Sequence, residues 1–578
     1  MKNFNIGNKI LNTLKTELKN VMGSQLTKNY DLDKEPYMQV GLHQLWSVYR
    51  GKRRGRENQE ASIFMLDKRL WDKKKSELDL NNPSPTMRDE AMNVLKKDPN
   101  NLMKLRHPSI LNLLETPGED EKFIVFITEP VEFSLACLLD AKQSKDHLRE
   151  KIPSKLEIKC MILELLEALN FMHQNAKCVH GGLSPENLYV TKMGKLKIAG
   201  LNFCAQMGTD ENITAPVMPN VKFNEFLMYP NLKFAAPEIS RQMPTCSQSS
   251  DLFSIACIMY YLLALESNKE PFILAQFNRS CPNAHSGEIS LLNSRLNQKL
   301  AFLESELQEI LRQILNTSSP NMRGSLGQLV QRQWFQDPLL KTLRYLENID
   351  FKENAQKVQF LQGLVKVIDK FEKKILIEKI IPLLMQSMSK DTQISVNVLP
   401  IVIQQLQAKN AMTSTQFRER VWPSIIELCG QRELPAQALY LLLKNQELIV
   451  NFVSTQEFGE VFLPLITKSL ACGVPKLQVL ALNKVKSIFS TMDYQIVKSQ
   501  IIPRVLQILE TAKDIDLKLE VLDTVRLIIK GIDAQTLKTD VVKSLEKLRV
   551  NDNNPKVCLK MLQVYEEIGK ILGPEEVG

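Results

Sequence analysis

The residues best placed to do chemistry lie in one short stretch, Val179-His180-Gly181-Gly182-Leu183-Ser184-Pro185-Glu186-Asn187-Leu188. An apolar run with helical spacing, Met161 to Met172, precedes it. A strand-like piece, Lys195 to Ile198, follows and leads into a second loop, Gly200-Leu201-Asn202. His180 can move a proton and Asn187 can orient an oxygen or a metal ion. Gly181, Gly182 and Gly200 have no side chain to offer.

Helix, loop, short strand and second loop is the order of a protein-kinase catalytic centre. There the first loop reads H-R-D-x-x-x-x-N and the second D-F-G. His180 and Asn187 fit that frame, but Gly181 replaces the Arg, Gly182 the catalytic Asp, and Gly200-Leu201-Asn202 the D-F-G. Phosphoryl transfer needs one carboxylate to accept the hydroxyl proton and another to hold magnesium on the phosphates. A positioned acid–base group contributes about 10²–10⁴ in rate, and the metal adds to that. With both carboxylates missing, a domain that binds partners and turns over no substrate is expected.

The elements that would position a nucleotide are altered in the same sense. Around Gly41 a phosphate-covering loop would need glycine at 43 and 46, where the chain has His43 and Trp46. In Ala61-Ser62-Ile63-Phe64, Phe64 takes the place of the phosphate-binding Lys of V-A-I-K. Lys68 lies four residues on, about 13 Å along a strand, and could serve only if the register slipped. The helix expected over Met87–Leu105, interrupted by Pro99, offers Glu90 and Asp98 as carboxylates with no lysine to pair with. A hinge is expected near Glu129-Pro130-Val131. Gly41, Lys68 and Asn187 are thus the remaining candidates for touching a nucleotide, with ATP binding expected to be weak or absent and no metal site.

Positions that hold such a fold together are kept. Ala236-Pro237-Glu238 matches A-P-E, Asp251 opens an apolar helix, and Arg323 stands where the buried partner of Glu238 belongs. His180, Glu238, Asp251 and Arg323 are read as structural.

The remainder of the chain is of another kind. Ile380-Ile381-Pro382-Leu383, Val421-Trp422-Pro423-Ser424, Phe462-Leu463-Pro464-Leu465 and Ile501-Ile502-Pro503-Arg504 are alike, with prolines 41, 41 and 39 residues apart. Val541-Val542-Lys543 continues the series without its proline. Two helices per roughly 40 residues is the period of HEAT and armadillo arrays, which bury their apolar faces only by stacking. The expected architecture is therefore an α+β bilobal protein-kinase-like fold over 29–340, then an all-α HEAT/armadillo-like solenoid over 345–578.

Residues 1–28 precede both. Phe4, Ile6, Ile10, Leu11, Leu14, Leu18, Val21 and Met22 recur at helical spacing with Lys9, Lys15 and Lys19 between them. This predicts an amphipathic helix that either packs on the body or lies on an anionic membrane. The 578 residues are 44% hydrophobic and 24% charged, with a net charge of +9. That balance is ordinary for a globular protein and does not by itself argue for nucleic acid. The ten cysteines form no C-x-x-C pair, so neither a disulfide framework nor a zinc site is expected. No apolar run approaches the roughly 20 residues of a membrane span, and the N-terminus lacks a signal-peptide pattern.

A degenerate kinase domain joined to a HEAT-type solenoid resembles the Scyl family of pseudokinases, and within it the coated-vesicle-associated kinase branch. The residues behind this are Val21-Met22-Gly23 with Thr27, the Trp46 region, Ser62-Ile63-Phe64 with Asp67-Lys68, Thr128-Glu129-Pro130-Val131 with Ser134-Leu135-Ala136, His180-Gly181 with Pro185-Glu186-Asn187, and Gly200 with Phe203-Cys204. The resemblance implies a cytoplasmic scaffold, peripherally associated with Golgi, endosomal or coated-vesicle membranes, that binds vesicle-coat or adaptor proteins through the solenoid. Members of that branch carry a long C-terminal tail with clathrin and adaptor motifs, whereas the sequence given stops at Gly578, so direct clathrin binding is not implied for it. Two alternatives stay open: an atypical active kinase with a rearranged ATP site, and an adaptor in tRNA or nuclear transport, as resembles another branch. DNA is not expected as a partner, and RNA only under the last reading.

Overall fold

A computed structural model describes residues 29–55, 59–69, 85–139, 151–208, 215–216, 229–241, 245–274, 282–408, 412–489 and 492–572. The amphipathic helix expected over 1–28 lies outside them. The chain divides into two compact units, Met1–Lys341 and Thr342–Gly578. The first is a bilobal protein-kinase-like fold and the second a helical solenoid.

The small lobe is an antiparallel sheet of six strands: β1 (Tyr30–Leu32), β2 (Met38–Val40), β3 (Trp46–Arg53), β4 (Glu60–Asp67), β5 (Gly118–Glu119) and β6 (Phe123–Thr128). Their order is β1-β3-β4-β6-β5, with β2 also on β3. Strand β4 reads as a nearly continuous apolar run because both its faces are covered. Ala61, Ile63 and Met65 join the outer core with Tyr30, Tyr49 and Phe123. By the alternation of a strand, Ser62, Phe64 and Leu66 face the other way. Helix α1 (Pro85–Lys104) completes the lobe and packs on the Leu201–Phe203 turn.

In the large lobe, α2 (Lys155–Gln174) starts at a capping box between Ser154 and Glu157 and packs on α3 (Gln248–Glu266). Helix α3 is buried without a break from Ser250 to Leu265, which explains an apolar composition with no polar face. Among the described residues it is the one helix long and apolar enough to cross a membrane, and 89% of that stretch is inside the protein. Short strands β7 (Phe133–Ser134), β8 (Cys178–Val179), β9 (Leu188–Val190), β10 (Leu196–Ile198) and β11 (Ala205–Gln206) frame the two loops. Strands β10-β9-β7 form one sheet and β11-β8 another.

The solenoid is a double layer. One layer stacks α5 (Ile381–Lys390), α7 (Trp422–Gly430), α9 (Thr455–Ala471), α11 (Ile502–Thr511) and α13 (Lys543–Asn551) in that order. The other stacks α4 (Asn354–Val367), α6 (Ser395–Gln407), α8 (Ala436–Lys444), α10 (Pro475–Ile488), α12 (Ile515–Ile528) and α14 (Pro555–Leu572). The repeat prolines are the second residues of α5, α7 and α11, and the residues before them, Ile380, Val421 and Ile501, already have helical backbone angles. Pro464 instead sits inside α9. π-Helical turns precede Pro382 and Pro503. The fifth repeat keeps its π turn, Leu537–Val542, without the proline, so the proline is not what creates it. Ion pairs recur between neighbouring repeats: Lys484 with Glu447 at 3.0 Å, Lys498 with Asp533 at 2.9 Å and Lys518 with Asp552 at 2.5 Å.

Candidate functional site

The loop around His180 is held from below by one carboxylate. Asp251 Oδ2 accepts the His180 amide at 2.8 Å and Oδ1 the Gly181 amide at 2.9 Å, and Oδ2 also meets His173 Nε2 at 2.8 Å. Burial pushes the Asp251 carboxyl up, but the hydrogen bond and charge of His173 outweigh it and hold the group below its ordinary value. His180 Nε2 lies 3.0 Å from the Ala199 carbonyl oxygen, tying the first loop to the end of β10. Glu238 and Arg323 form a buried bidentate pair at 2.7 and 2.9 Å, and Arg323 also donates to the Ser249 and Asn316 carbonyls.

The places of the two missing carboxylates are already filled. A Cβ on Gly182 would come within 2.6 Å of the Phe203 ring. One on Gly200 would come within 2.1 Å of Asn187 Cγ, and Gly200 has a φ of +70°, a left-handed conformation that favours glycine. Asn187 is turned into the loop, where Nδ2 donates to the Gly182 carbonyl at 2.9 Å. Its amide nitrogen is therefore engaged in holding the loop. Gly200→Asp is expected to destabilise the protein by about 1–3 kcal/mol through overpacking and backbone strain. Thermal unfolding with and without magnesium checks this, with lowered stability and no magnesium-dependent recovery as the expected result.

The sequence left Glu90 and Asp98 as carboxylates without partners, and the structure corrects that for Asp98. Its carboxylate accepts the Leu201 amide at 2.8 Å and is also bonded by the Gly200 amide. Asn101 Nδ2 donates to the Leu201 carbonyl at 3.0 Å. Pro99 does not interrupt α1 either. It cannot donate to the Leu95 carbonyl one turn back, and Asn202 Nδ2 approaches that carbonyl at 3.5 Å and the Val94 carbonyl at 3.0 Å. Thus α1 is clamped to the second loop by hydrogen bonds in place of a Lys–Glu pair.

Full burial raises the Asp98 carboxyl to about 6 from an ordinary 3.8, against the lowering effect of the two amides. The folded state therefore binds this proton more tightly than the unfolded chain. The stability associated with it is complete below 3.8 and is lost as pH rises through about 6. Asp98→Asn is expected to be more stable than the unaltered protein at pH 8, by up to about 3 kcal/mol. Denaturant titrations across pH should show the difference closing toward pH 4.

The remaining nucleotide candidates lie elsewhere or serve other ends. Lys68 Nζ is bound to Glu119 at 2.7 Å and to the Asp120 carbonyl at 2.6 Å. The strand ends at Asp67 without a register slip, so Lys68 reaches β5 and not the cleft. Gly41 has a φ of +71°, and a Cβ there would come within 2.8 Å of the Trp46 ring. Its lack of a side chain admits Trp46, not a phosphate.

Trp46 begins a chain of aromatic rings that the sequence did not reveal. It meets Phe126 edge-on at 4.8 Å. Phe126 stacks on Phe64 at 4.6 Å, and Phe64 meets Tyr189 of β9 at 5.5 Å. Phe64 is only 1% exposed. The chain runs from the small-lobe sheet to the floor of the large lobe, through the position where a phosphate-binding lysine would stand. The hinge is occupied as well. Ser62 Oγ accepts the Val131 amide at 3.0 Å, and Tyr37 OH donates to the Val131 carbonyl at 2.7 Å while lying 2.9 Å from Ser62 Oγ. Burial pushes the Tyr37 hydroxyl up to about 12, so it remains protonated. The alternating Ser62, Phe64 and Leu66 of β4, and Phe126 facing them, were the available signal.

These residues do not fit a magnesium nucleotide. The three ring contacts alone are worth about 2–4 kcal/mol, or roughly one and a half to three powers of ten in affinity for any ligand group that displaced them. The hinge bonds would have to be broken in addition.

Residues 80–335 match the protein kinase domain family. Over 555 residues the chain is 26% identical to SCY1-like protein 2 of Homo sapiens, covering 94% of this chain and 57% of that protein. It is 24% identical over 583 residues to protein kinase-like protein SCY1 of Saccharomyces cerevisiae, covering 96% of this chain and 70% of that protein. A Dictyostelium discoideum relative named probable inactive serine/threonine-protein kinase scy1 is 23% identical over 459 residues, or 75% of this chain and 47% of that protein. The chain thus spans little more than half the length of the human relative.

Proposed function

We propose that this chain, a member of the Scyl family of protein-kinase-like proteins, is a catalytically inactive scaffold whose kinase-like unit keeps its shape and has given its nucleotide cleft to its own side chains. The observation that carries this is the hinge and cleft together: Val131 satisfied by Ser62 and Tyr37, and Phe64 stacked where a lysine would bind phosphate. The glycines at 182 and 200, each backed by a filled space, support the same reading.

The scaffold's work falls to the solenoid, an extended array with helical surfaces for protein partners. Resemblance to the coated-vesicle-associated kinase branch supports vesicle-coat or adaptor proteins as those partners, at the cytoplasmic side of Golgi, endosomal or coated-vesicle membranes. On this reading residues 1–28 contribute a peripheral contact with anionic lipid. No nucleotide or metal cofactor takes part.

Two measurements test the proposal. Purified protein incubated with magnesium and γ-labelled ATP should transfer no phosphate to itself or to a general acceptor. Turnover abolished by a substitution in the cleft would replace the scaffold with an atypical kinase. Tagged protein recovered from cells should bring down coat and adaptor proteins. Recovery of tRNA and nuclear-pore proteins in their place would overturn the trafficking assignment.

A further inference from the structure

Beside the Glu238–Arg323 pair, the large lobe holds a polar space that the phosphotransfer frame does not use. It is a cavity of about 360 Å³ between the helix Ser305–Ile314 and the turn that leads from Arg323 into the short helix Leu326–Val330. That volume is within the range of small-ligand sites, about 300–1,000 Å³. Its lining divides by chemistry. Ile310, Ile314 and Leu329 form an aliphatic wall rooted in the core. Facing that wall are glutamine amides and two guanidiniums, and among the described residues no carboxylate lines the cavity.

The amides are set with their donor ends free. Gln328 Oε1 accepts the Ser325 amide at 3.1 Å, and Gln313 Oε1 accepts from Arg332 Nη2. Neither Nε2 has a hydrogen-bond partner among the described residues. Gly324 lets the two side chains meet: its φ is +83°, and a Cβ there would come within 2.8 Å of Gln328 Oε1 and 3.1 Å of Gln313 Nε2. Of the guanidiniums, Arg323 is taken up by Glu238 and by backbone carbonyls, so Arg332 is the cation left to a ligand. Its Nη1 meets Glu309 at 3.3 Å, with the two side chains 35% and 70% exposed. An ion pair so open to water is worth about 0–1 kcal/mol, and a ligand carboxylate can replace Glu309 at little cost.

We infer that this cavity binds the C-terminal end of a peptide. The terminal carboxylate pairs with Arg332, and the terminal side chain, an aliphatic one, lies on Ile310, Ile314 and Leu329. The carbonyl of the last peptide bond accepts from the Nε2 groups of Gln313 and Gln328. An anion and an aliphatic group on one carbon, next to a carbonyl acceptor, are what a peptide C-terminus presents. A phosphate would satisfy the guanidinium and leave the aliphatic wall uncovered. The inference goes beyond the scaffold reading and does not rest on it.

The probe is an N-terminally fluorescein-labelled peptide, Gly-Ser-Gly-Leu, titrated with the full chain by anisotropy, once with a free C-terminal carboxylate and once amidated. Saturable binding of the free carboxylate is expected, weakened at least about tenfold by amidation and by Arg332→Gln. Glu309→Gln frees the guanidinium and should tighten binding about two- to fivefold. That gain is a readout that a misfolded variant could not give. No binding, equal binding of the amide, or binding indifferent to Arg332→Gln would overturn the inference. So would displacement of the peptide by inorganic phosphate but not by N-acetylleucine, which would make this a phosphate site. Failure here leaves the absence of phosphotransfer untouched, since neither Arg332 nor Glu309 belongs to the cleft.

Discussion

Arg323→Ala is expected to cost about 3–5 kcal/mol of stability, because it strands a buried carboxylate whose partner has been removed. Glu238 is 3% exposed and keeps the Ser250 hydroxyl, at 2.7 Å, and its own backbone amide, but no cation, when the guanidinium is gone. Burial raises the Glu238 carboxyl, and the Arg323 hydrogen bonds and charge bring it below its ordinary 4.5. A depressed carboxylate contributes stability that is present above 4.5 and lost as pH falls through its folded value. In the variant the carboxyl moves upward instead. The gap between variant and unaltered protein, read from urea unfolding, should therefore be widest near neutral pH and narrow in acid. Glu238→Gln added to Arg323→Met should recover part of the loss, since a neutral pair leaves no buried charge.

Asp251→Ala is expected to be nearly as damaging, at about 3–5 kcal/mol. It removes the acceptor of the His180 and Gly181 amides and of the His173 ring together, and none of these groups can turn to water: His173 and His180 are both 0% exposed. Amide hydrogen exchange at His180 and Gly181 should accelerate by about the same free energy as global unfolding becomes easier. On the proposed reading as a scaffold, the readout of this defect is the fold alone.

The residues that hold the fold were legible in the sequence because a motif fixes them in order and spacing. His180, Asn187, Glu238, Asp251 and Arg323 could be placed by counting, and the solenoid by its period of about 40 residues. The residues that close the cleft were not, because each acts through a partner far along the chain. Asn202 reaches α1 across 108 residues, Tyr37 reaches Val131 across 94, and Ser62 across 69. The sequence shows Pro99 as a break, and only the fold shows Asn202 approaching the carbonyl that the proline leaves unbonded. Lys68 and Gly41 misled for a related reason. A residue type with a catalytic precedent was visible, whereas Glu119, which holds the lysine, and Trp46, which lies over the glycine, are evident only in three dimensions. The two glycines were read as lost carboxylates, whereas the packing of Phe203 beside Gly182 and of Asn187 beside Gly200 is evident only in the fold.

The closure of the cleft is most directly tested by titrating the purified protein with ATP and magnesium while following its melting temperature. No shift is expected at millimolar nucleotide, and none is expected from Gly200→Asp either, because Ser62, Tyr37 and the ring chain remain in place. A saturable, magnesium-dependent rise in melting temperature with the unaltered protein would contradict the account.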